Sequence, residues 1–301
     1  MPRPPRPAGP RQPIGEVFGY PISNTSPGAQ RAMDHKLCPY NNIVPACTKD
    51  DVDDPLGVCS VLTPRGPVIT CPVRFRQDWT IERDAAAFFF SPGTRYERLS
   101  EVRLKDASGK SAGNIDHVLV TYDARGRVTN FGSLEVQAVY ISGNMRLPFE
   151  HFVRTRDRTM NWPGQRNYPN PDYLSSSRKR LAPQILYKGS ILKQWGQKQA
   201  VALQRSFYRT LPPLPAVDSS LADMAWLIYD LVYDASRHVY DLTLVETIYS
   251  TFADALREIS IPQVGKIEPF LATLQTKLDA KRAGHDMFAL ADTETSEVGD
   301  V

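Results

Sequence analysis

The chain has 301 residues, 42% hydrophobic and 23% charged, which suits a core-forming globular protein and excludes a fibrous or low-complexity one. No apolar run is long enough to span a bilayer, and the start lacks the apolar stretch of a secretory signal, so a cytoplasmic protein with no membrane partner is expected. A net charge of +3 is too small to mark a polyanion-binding surface by itself.

Residues 1–13 hold six prolines and three arginines and read as an extended or disordered arm that cannot build a core. Residues 14–80 contain every cysteine of the chain, Cys38, Cys47, Cys59 and Cys71, with gaps of 8, 11 and 11 residues. No C-x-x-C occurs, so the usual zinc-finger spacing is absent. A cytosolic setting argues against disulfides. Four clustered thiols point to one tetrahedral site with four thiolate ligands, with four reduced core cysteines as the alternative. His35 is a competing ligand by position, although an exposed role suits it better.

Glu82 to Phe90 is rich in helix formers and predicts a helix packed under a sheet. The stretch from Gly113 to Tyr140 then carries two β-rich runs around Asp123-Ala124-Arg125-Gly126, which predicts a hairpin. A turn centred near Arg125 places Asp116 almost opposite Glu135. Strand side chains alternate, so Glu135 and Gln137 project together while Leu134, Val136 and Ala138 point away. Two carboxylates and an amide thus converge on one patch. Carboxylates that close repel each other, and Mg2+ relieves such a clash while keeping waters for a phosphate. The alternative is a pair of ordinary strands with acids on a wet face. His117 falls on the other face and reads as packing or a hydrogen bond.

Between Arg146 and Arg180 eight Lys or Arg stand against three acids, so the positive charge is concentrated directly after the proposed patch. A phosphate backbone would need it there; a solvated basic loop is the alternative. Residues 161–180 mix Pro and Gly with Arg, Gln, Asn and Tyr and read as a long loop. Gln165, Arg166 and Asn167 are the side-chain types that read base edges, whereas Arg178, Lys179 and Arg180 suit phosphates, and Arg146 is a further candidate DNA contact. Residues 182–203 predict a helix with Tyr187, Ile191 and Trp195 as its apolar stripe and Lys188 on another face. Residues 225–233 and 238–246 predict two strands across a turn, with a helix over 221–235 as the alternative. Residues 249–258 and 264–283 read as helices. Ile267, Phe270, Leu271, Leu274 and Leu278 form a stripe for a core or a dimer face. The tail from Ala291 is acidic and reads as solvated. No G-x-S-x-G and no G-x-x-x-x-G-K-[ST] occurs.

Asp116, a gap of 18 residues, then Glu135-Val136-Gln137 resembles the D…(E)xK site of PD-(D/E)XK nucleases, in the variant where Gln replaces Lys. The order E-V-F-G-Y-P, C-P-Y, A-C, L-G-V-C-S-V and C-P, followed by Gly132-Ser133-Leu134-Glu135-Val136-Gln137, resembles the NotI family of type II restriction endonucleases over about residues 16 to 258.

That resemblance implies an α/β fold: a PD-(D/E)XK nuclease core, a mixed sheet flanked by helices, over 81–290. It implies a four-cysteine metal-binding module over 14–80, between the arm 1–13 and the tail 291–301. It implies cleavage of double-stranded DNA by a bacterial homodimer at a GC-rich palindrome containing GGCC, and the compact length suggests CGGCCG. A cognate DNA methyltransferase would act on the same site. Mg2+ would sit on Asp116, Glu135 and the Val136 carbonyl, with Gln137 completing the catalytic set and Glu101 as a further acid on a nearby helix. Cys38, Cys47, Cys59 and Cys71 would hold a structural iron or zinc, both of which accept tetrahedral sulfur. Gln137 cannot ionise, so the metal and the DNA phosphates would do more of the water activation. The competing functions are a non-cleaving DNA-binding regulator and a structure-selective repair nuclease.

Overall fold

The computed structural model describes residues 12–160, 167–261 and 264–294, with side chains to residue 283. The chain divides into two units, Met1–Ile261 and Pro262–Val301. The first begins with β1 (Ile14–Val17), β2 (Tyr20–Pro21), α1 (Pro27–Asp34), β3 (Val58–Thr63) and β4 (Gly66–Ile69). The four strands form an antiparallel sheet in the order β2-β1-β3-β4. Helix α1 starts where the Ser26 hydroxyl accepts the Ala29 N–H, with Pro27 in its first turn. Gln12 and Pro13, expected at the end of a solvated arm, are buried; residues 1–11 lie outside the described residues.

A 3-10 segment (Pro72–Trp79) leads into α2 (Thr80–Phe89), the helix expected from Glu82 onward. The predicted hairpin follows as β6 (Ser111–Tyr122) and β7 (Val128–Gln137), preceded by β5 (Glu97–Lys105). Its turn closes as the composition suggested. The Asp123 carboxylate accepts the N–H groups of Arg125 and Arg127, and Gly126 takes a φ of 75° that favours glycine. Next come β8 (Tyr140–Ser142), α3 (Arg146–Thr155), where no regular element was expected, and β9 (Asn170–Asp172).

Residues 173–194 form one helical run, made of α4 (Tyr173–Ser176), a π segment (Ser177–Leu181), α5 (Ala182–Gln184), a second π segment (Ile185–Gly189) and α6 (Ser190–Gln194). Arg178, Lys179 and Arg180 therefore stand on a helix rather than in the expected loop. Two further expectations fail here. Gly196, at φ 68°, ends the run, and residues 198–203 belong to a strand, β10 (Lys198–Gln204). Its sequence, K-Q-A-V-A-L-Q, is buried on both faces and so shows no alternation; Ala, Leu and Gln are also good helix formers, which invites the misreading. The expected stripe is only partly inward: Ile191 packs against the core, but its two neighbours in the stripe do not. Tyr187 is 62% and Trp195 54% exposed, while Ile185, Lys188 and Leu192 face inward. Each π turn takes an extra residue and so rotates the buried face away from the 3.6-residue phase.

After a short helix, α7 (Arg205–Tyr208), the expected pair of strands appears as β11 (Met224–Asp234) and β12 (Val239–Ser250), followed by α8 (Phe252–Ser260). The central sheet has the order β12-β11-β10-β7-β6-β5. β10 runs parallel to both neighbours, and the flanking pairs are antiparallel, so the sheet is mixed and flanked by helices, as expected. Strand alternation splits the core. Leu134, Ala200, Ala202, Ala225 and Leu227 meet α2 on one face. Val201, Leu203 and Trp226 meet Leu181 and Ile185 on the other, so the 173–194 run covers the face that carries odd-numbered residues of β7 and β10. Gly132 is needed for this packing: a Cβ there would come within 2.3 Å of the Phe89 ring of α2.

The small sheet is tied to the large one close to the end of β7. Gln204 accepts the Ile69 N–H and donates to the Pro67 carbonyl, and Val139 N–H donates to the Ile69 carbonyl. Arg74, wholly buried, donates to Glu16 on β1 and to the Tyr240 carbonyl on β12. In the second unit α9 (Glu268–Glu294) runs into the segment expected to be tail, and the stripe from Ile267 to Leu278 is exposed rather than core. Among the described residues no helix is long and apolar enough to cross a membrane.

Candidate active site

The β6–β7 register pairs His117 with Leu134, so the next step along both strands sets Asp116 against Glu135. The sequence reading placed them almost opposite; the register makes them direct neighbours. On the other side of β6, Ser100 pairs with His117 and Val102 with Ile115, which places Glu101 of β5 against Asp116. Three acids thus stand in a row across three adjacent strands. Glu101 lies on a strand, not on the expected helix. It takes a left-handed φ of 55°, an uncommon conformation for a residue with a Cβ and one that collects at functional sites.

Asp116 Oδ2 accepts the Val136 N–H at 2.8 Å. Glu135 is 1% exposed; its Oε2 accepts from Lys188 Nζ at 2.7 Å, and its Oε1 has no hydrogen-bond partner among the described residues. Burial first, and then the Asp116 charge, push Glu135 up to about 8, against the pull of Lys188. Asp116 is raised by burial, opposed by the Val136 N–H and by Lys188, with Glu101 adding to the rise. Without added positive charge both carboxyls resist ionising together, which is the condition a divalent cation relieves. The orphaned Glu135 oxygen fits the same need.

Gln137 projects on the same face as Glu135 and its amide donates to Gln184 Oε1. Gln184 and Lys188 both come from the 173–194 run, and sequence reasoning missed both as parts of this site. The available signal was Pro183. Proline has no N–H, and a proline inside a helix marks an irregular turn. The ladder widens at this point, with the Ala182 N–H bonding five residues back to Ser177. His117 lies on the opposite face, as alternation required. It is 2% exposed, beside Glu82 and Ser100, and burial lowers it to about 4, so it is neutral at pH 7.

The candidate DNA-binding side chains are spread more widely. A cleft of about 1030 Å³ is lined by Tyr140, Asn144, Arg146, Asn167, Arg180 and Lys49; Asp116, Glu135 and Gln137 do not line it. Arg180 lies over the Tyr140 ring at 3.9 Å. Arg146 forks onto Asp50 and Asp54 at 2.9 and 2.7 Å, so its charge is matched within the chain. Arg178 and Lys179 are exposed. Gln165 and Arg166 lie outside the described residues.

Cys38, Cys47, Cys59 and Cys71 are all buried and free, and all four line one small cavity beneath Tyr40 and Arg74. Cys38 and Cys47 flank a bridge between Leu37 and Ala46, Cys59 lies on β3, and Cys71 follows β4. Burial raises the thiols of Cys38, Cys47 and Cys59. Among the described residues no group of three or more Cys, His, Asp or Glu is arranged to hold a metal ion. His35 is exposed.

The family model described as Restriction endonuclease NotI matches residues 16–242. No curated protein matches the chain.

Proposed function

The chain belongs to the NotI restriction endonuclease family, and we propose that Asp116, Glu135 and Gln137 are its cleavage site. Family membership makes it a type II, site-specific deoxyribonuclease that acts on double-stranded DNA. The reading rests on one observation above all: Asp116 and Glu135 oppose each other on neighbouring strands, with the buried Glu135 Oε1 lacking a donor. We read this pair as a PD-(D/E)XK site with Gln137 at the lysine position.

Asp116, Glu135 and the Val136 carbonyl would hold Mg2+, which when bound polarises the scissile phosphate and lowers the pKa of its water. Asp116 is held in place by the Val136 N–H. Gln137 orients water or substrate by hydrogen bonding and carries no charge. Glu101 is an exposed acid on the neighbouring strand, outside the pair that would hold the metal. Attack in line with the leaving 3′ oxygen leaves a 5′ phosphate and a 3′ hydroxyl.

The enzyme works as a homodimer on a GC-rich palindrome containing GGCC, with CGGCCG the first candidate. A two-fold dimer matches a palindrome and cuts each strand once. A cognate methyltransferase protects the same site in the host. Arg178, Lys179 and Arg180 contact phosphates, and Gln165, Arg166 and Asn167 read bases. Cys38, Cys47, Cys59 and Cys71 would hold one structural iron or zinc, since four thiolates suit either; their sharing one small cavity supports the reading, although among the described residues they are not arranged as a metal-holding group.

Digestion of phage DNA with Mg2+, with the product ends sequenced, tests the proposal. Discrete fragments with 5′ phosphates at one palindrome are expected, and none in EDTA. A mobility shift without cutting, or cutting only at forks and mismatches, would overturn it.

A further inference from the structure

Lys188 belongs to a helix, yet its ammonium ends beside the strand that carries the acids. The residue is 3% exposed. Nζ donates to Glu135 Oε2 at 2.7 Å and to the Asn114 carbonyl at 2.6 Å. One turn earlier, Gln184 meets Gln137. The two contacts form matched rungs. Four residues along a helix rise about 6 Å and two along a strand about 7 Å, so Gln184 and Lys188 fall in step with Gln137 and Glu135. The second π segment, Ile185–Gly189, contains Lys188 and turns it toward the sheet, while Leu186 and Tyr187 face outward. Gly189 lets the run pack closely against α8 and β10: a Cβ there would lie 2.6 Å from the Phe252 ring and 3.0 Å from Gln199 Oε1.

Stability alone gives no reason for a charge at this depth. A buried ion pair gains little over an apolar pair of the same volume. The motif on β7 does lack a cation, since Gln137 stands where most PD-(D/E)XK nucleases carry lysine. We propose that Lys188 supplies the missing positive charge of the site from the helix, acting as a positioning residue that holds Glu135 in place beside Asp116. This inference rests on the reading of Asp116 and Glu135 as the cleavage site.

The test uses the full chain and four proteins: wild type, Glu135→Gln, Lys188→Met and the double variant Lys188→Met/Gln137→Lys. Single-turnover cleavage in Mg2+, mobility shift of cognate DNA in EDTA and thermal melting in EDTA are measured on each. Lys188→Met should cut about a hundredfold to a thousandfold more slowly and bind DNA normally. The double variant, which returns the lysine to the strand, should regain about tenfold or more of that loss, which a merely structural role would not give. Normal cleavage by Lys188→Met, with Glu135→Gln inactive, overturns the role of Lys188 and leaves the site standing. A double variant that regains no cleavage overturns it too, whatever its melting temperature. Normal cleavage by Glu135→Gln instead removes the site reading itself.

Discussion

Asp116 Oδ2 accepts the backbone N–H of Val136 at 2.8 Å, so the first acid is anchored to the residue that follows the second. An asparagine at 116 keeps an oxygen for that N–H and loses only the charge. Asp116→Asn should therefore fold and bind DNA like the wild type. Cleavage should fall by about 4 kcal/mol of transition-state stabilisation, about a thousandfold. Single-turnover rates and mobility shifts read both quantities. A variant that cuts at the normal rate would place the chemistry elsewhere.

The raised Glu135 carboxyl makes the metal-free protein sensitive to pH. Its value moves from 4.5 unfolded to about 8 folded, by burial first and then by Asp116. The folded state therefore holds this proton more tightly, and the associated stability is lost as pH rises through about 8. His117 moves oppositely, from 6.5 down to about 4, so above 6.5 it is neutral in both states. Between 6.5 and 8, in EDTA, the melting temperature should fall, and Glu135→Gln should flatten that slope. At limiting Mg2+, wild-type cleavage should rise over the same interval, because a ligand must lose its proton to bind metal. A flat melting profile shared by both proteins would refute the assignment.

The hairpin and its two acids were legible because the signals are local. A Gly-containing turn fixes the register, and period-two alternation fixes the face. Lys188 and Gln184 were not legible, because two π segments shift the helical phase and turn Tyr187 and Trp195 outward. Residues 198–203 were misread for a related reason. A central parallel strand is buried on both faces and carries no alternation to separate it from a helix. The stripe from Ile267 to Leu278 has sound helical periodicity, yet periodicity reports a face and not what covers it.

Cys59 tests the four-thiol reading. It lies on β3, buried against Phe18 and Arg74 in the cavity shared with the other three thiols. If these sulfurs ligate one structural ion, metal analysis should find about one iron or zinc per chain. Cys59→Ser should then lose the ion and a large part of the roughly 10 kcal/mol that such a site contributes to folding. Unchanged metal content and an unchanged melting temperature would make the four thiols ordinary core residues.

Arg178 and Lys179 separate phosphate contact from base reading. Both are exposed on the 173–194 run, the helix whose next turns bring Gln184 to Gln137 and Lys188 to Glu135. Contacts to phosphate carry no sequence information, so Arg178→Ala and Lys179→Ala should weaken cognate and non-cognate DNA alike. Each should also lower the slope of log affinity against log salt by about 0.9, since one fewer phosphate is neutralised. Equilibrium binding at several salt concentrations measures both effects. A variant that changes the preferred site, or leaves the salt slope intact, would remove these side chains from the phosphate-binding surface.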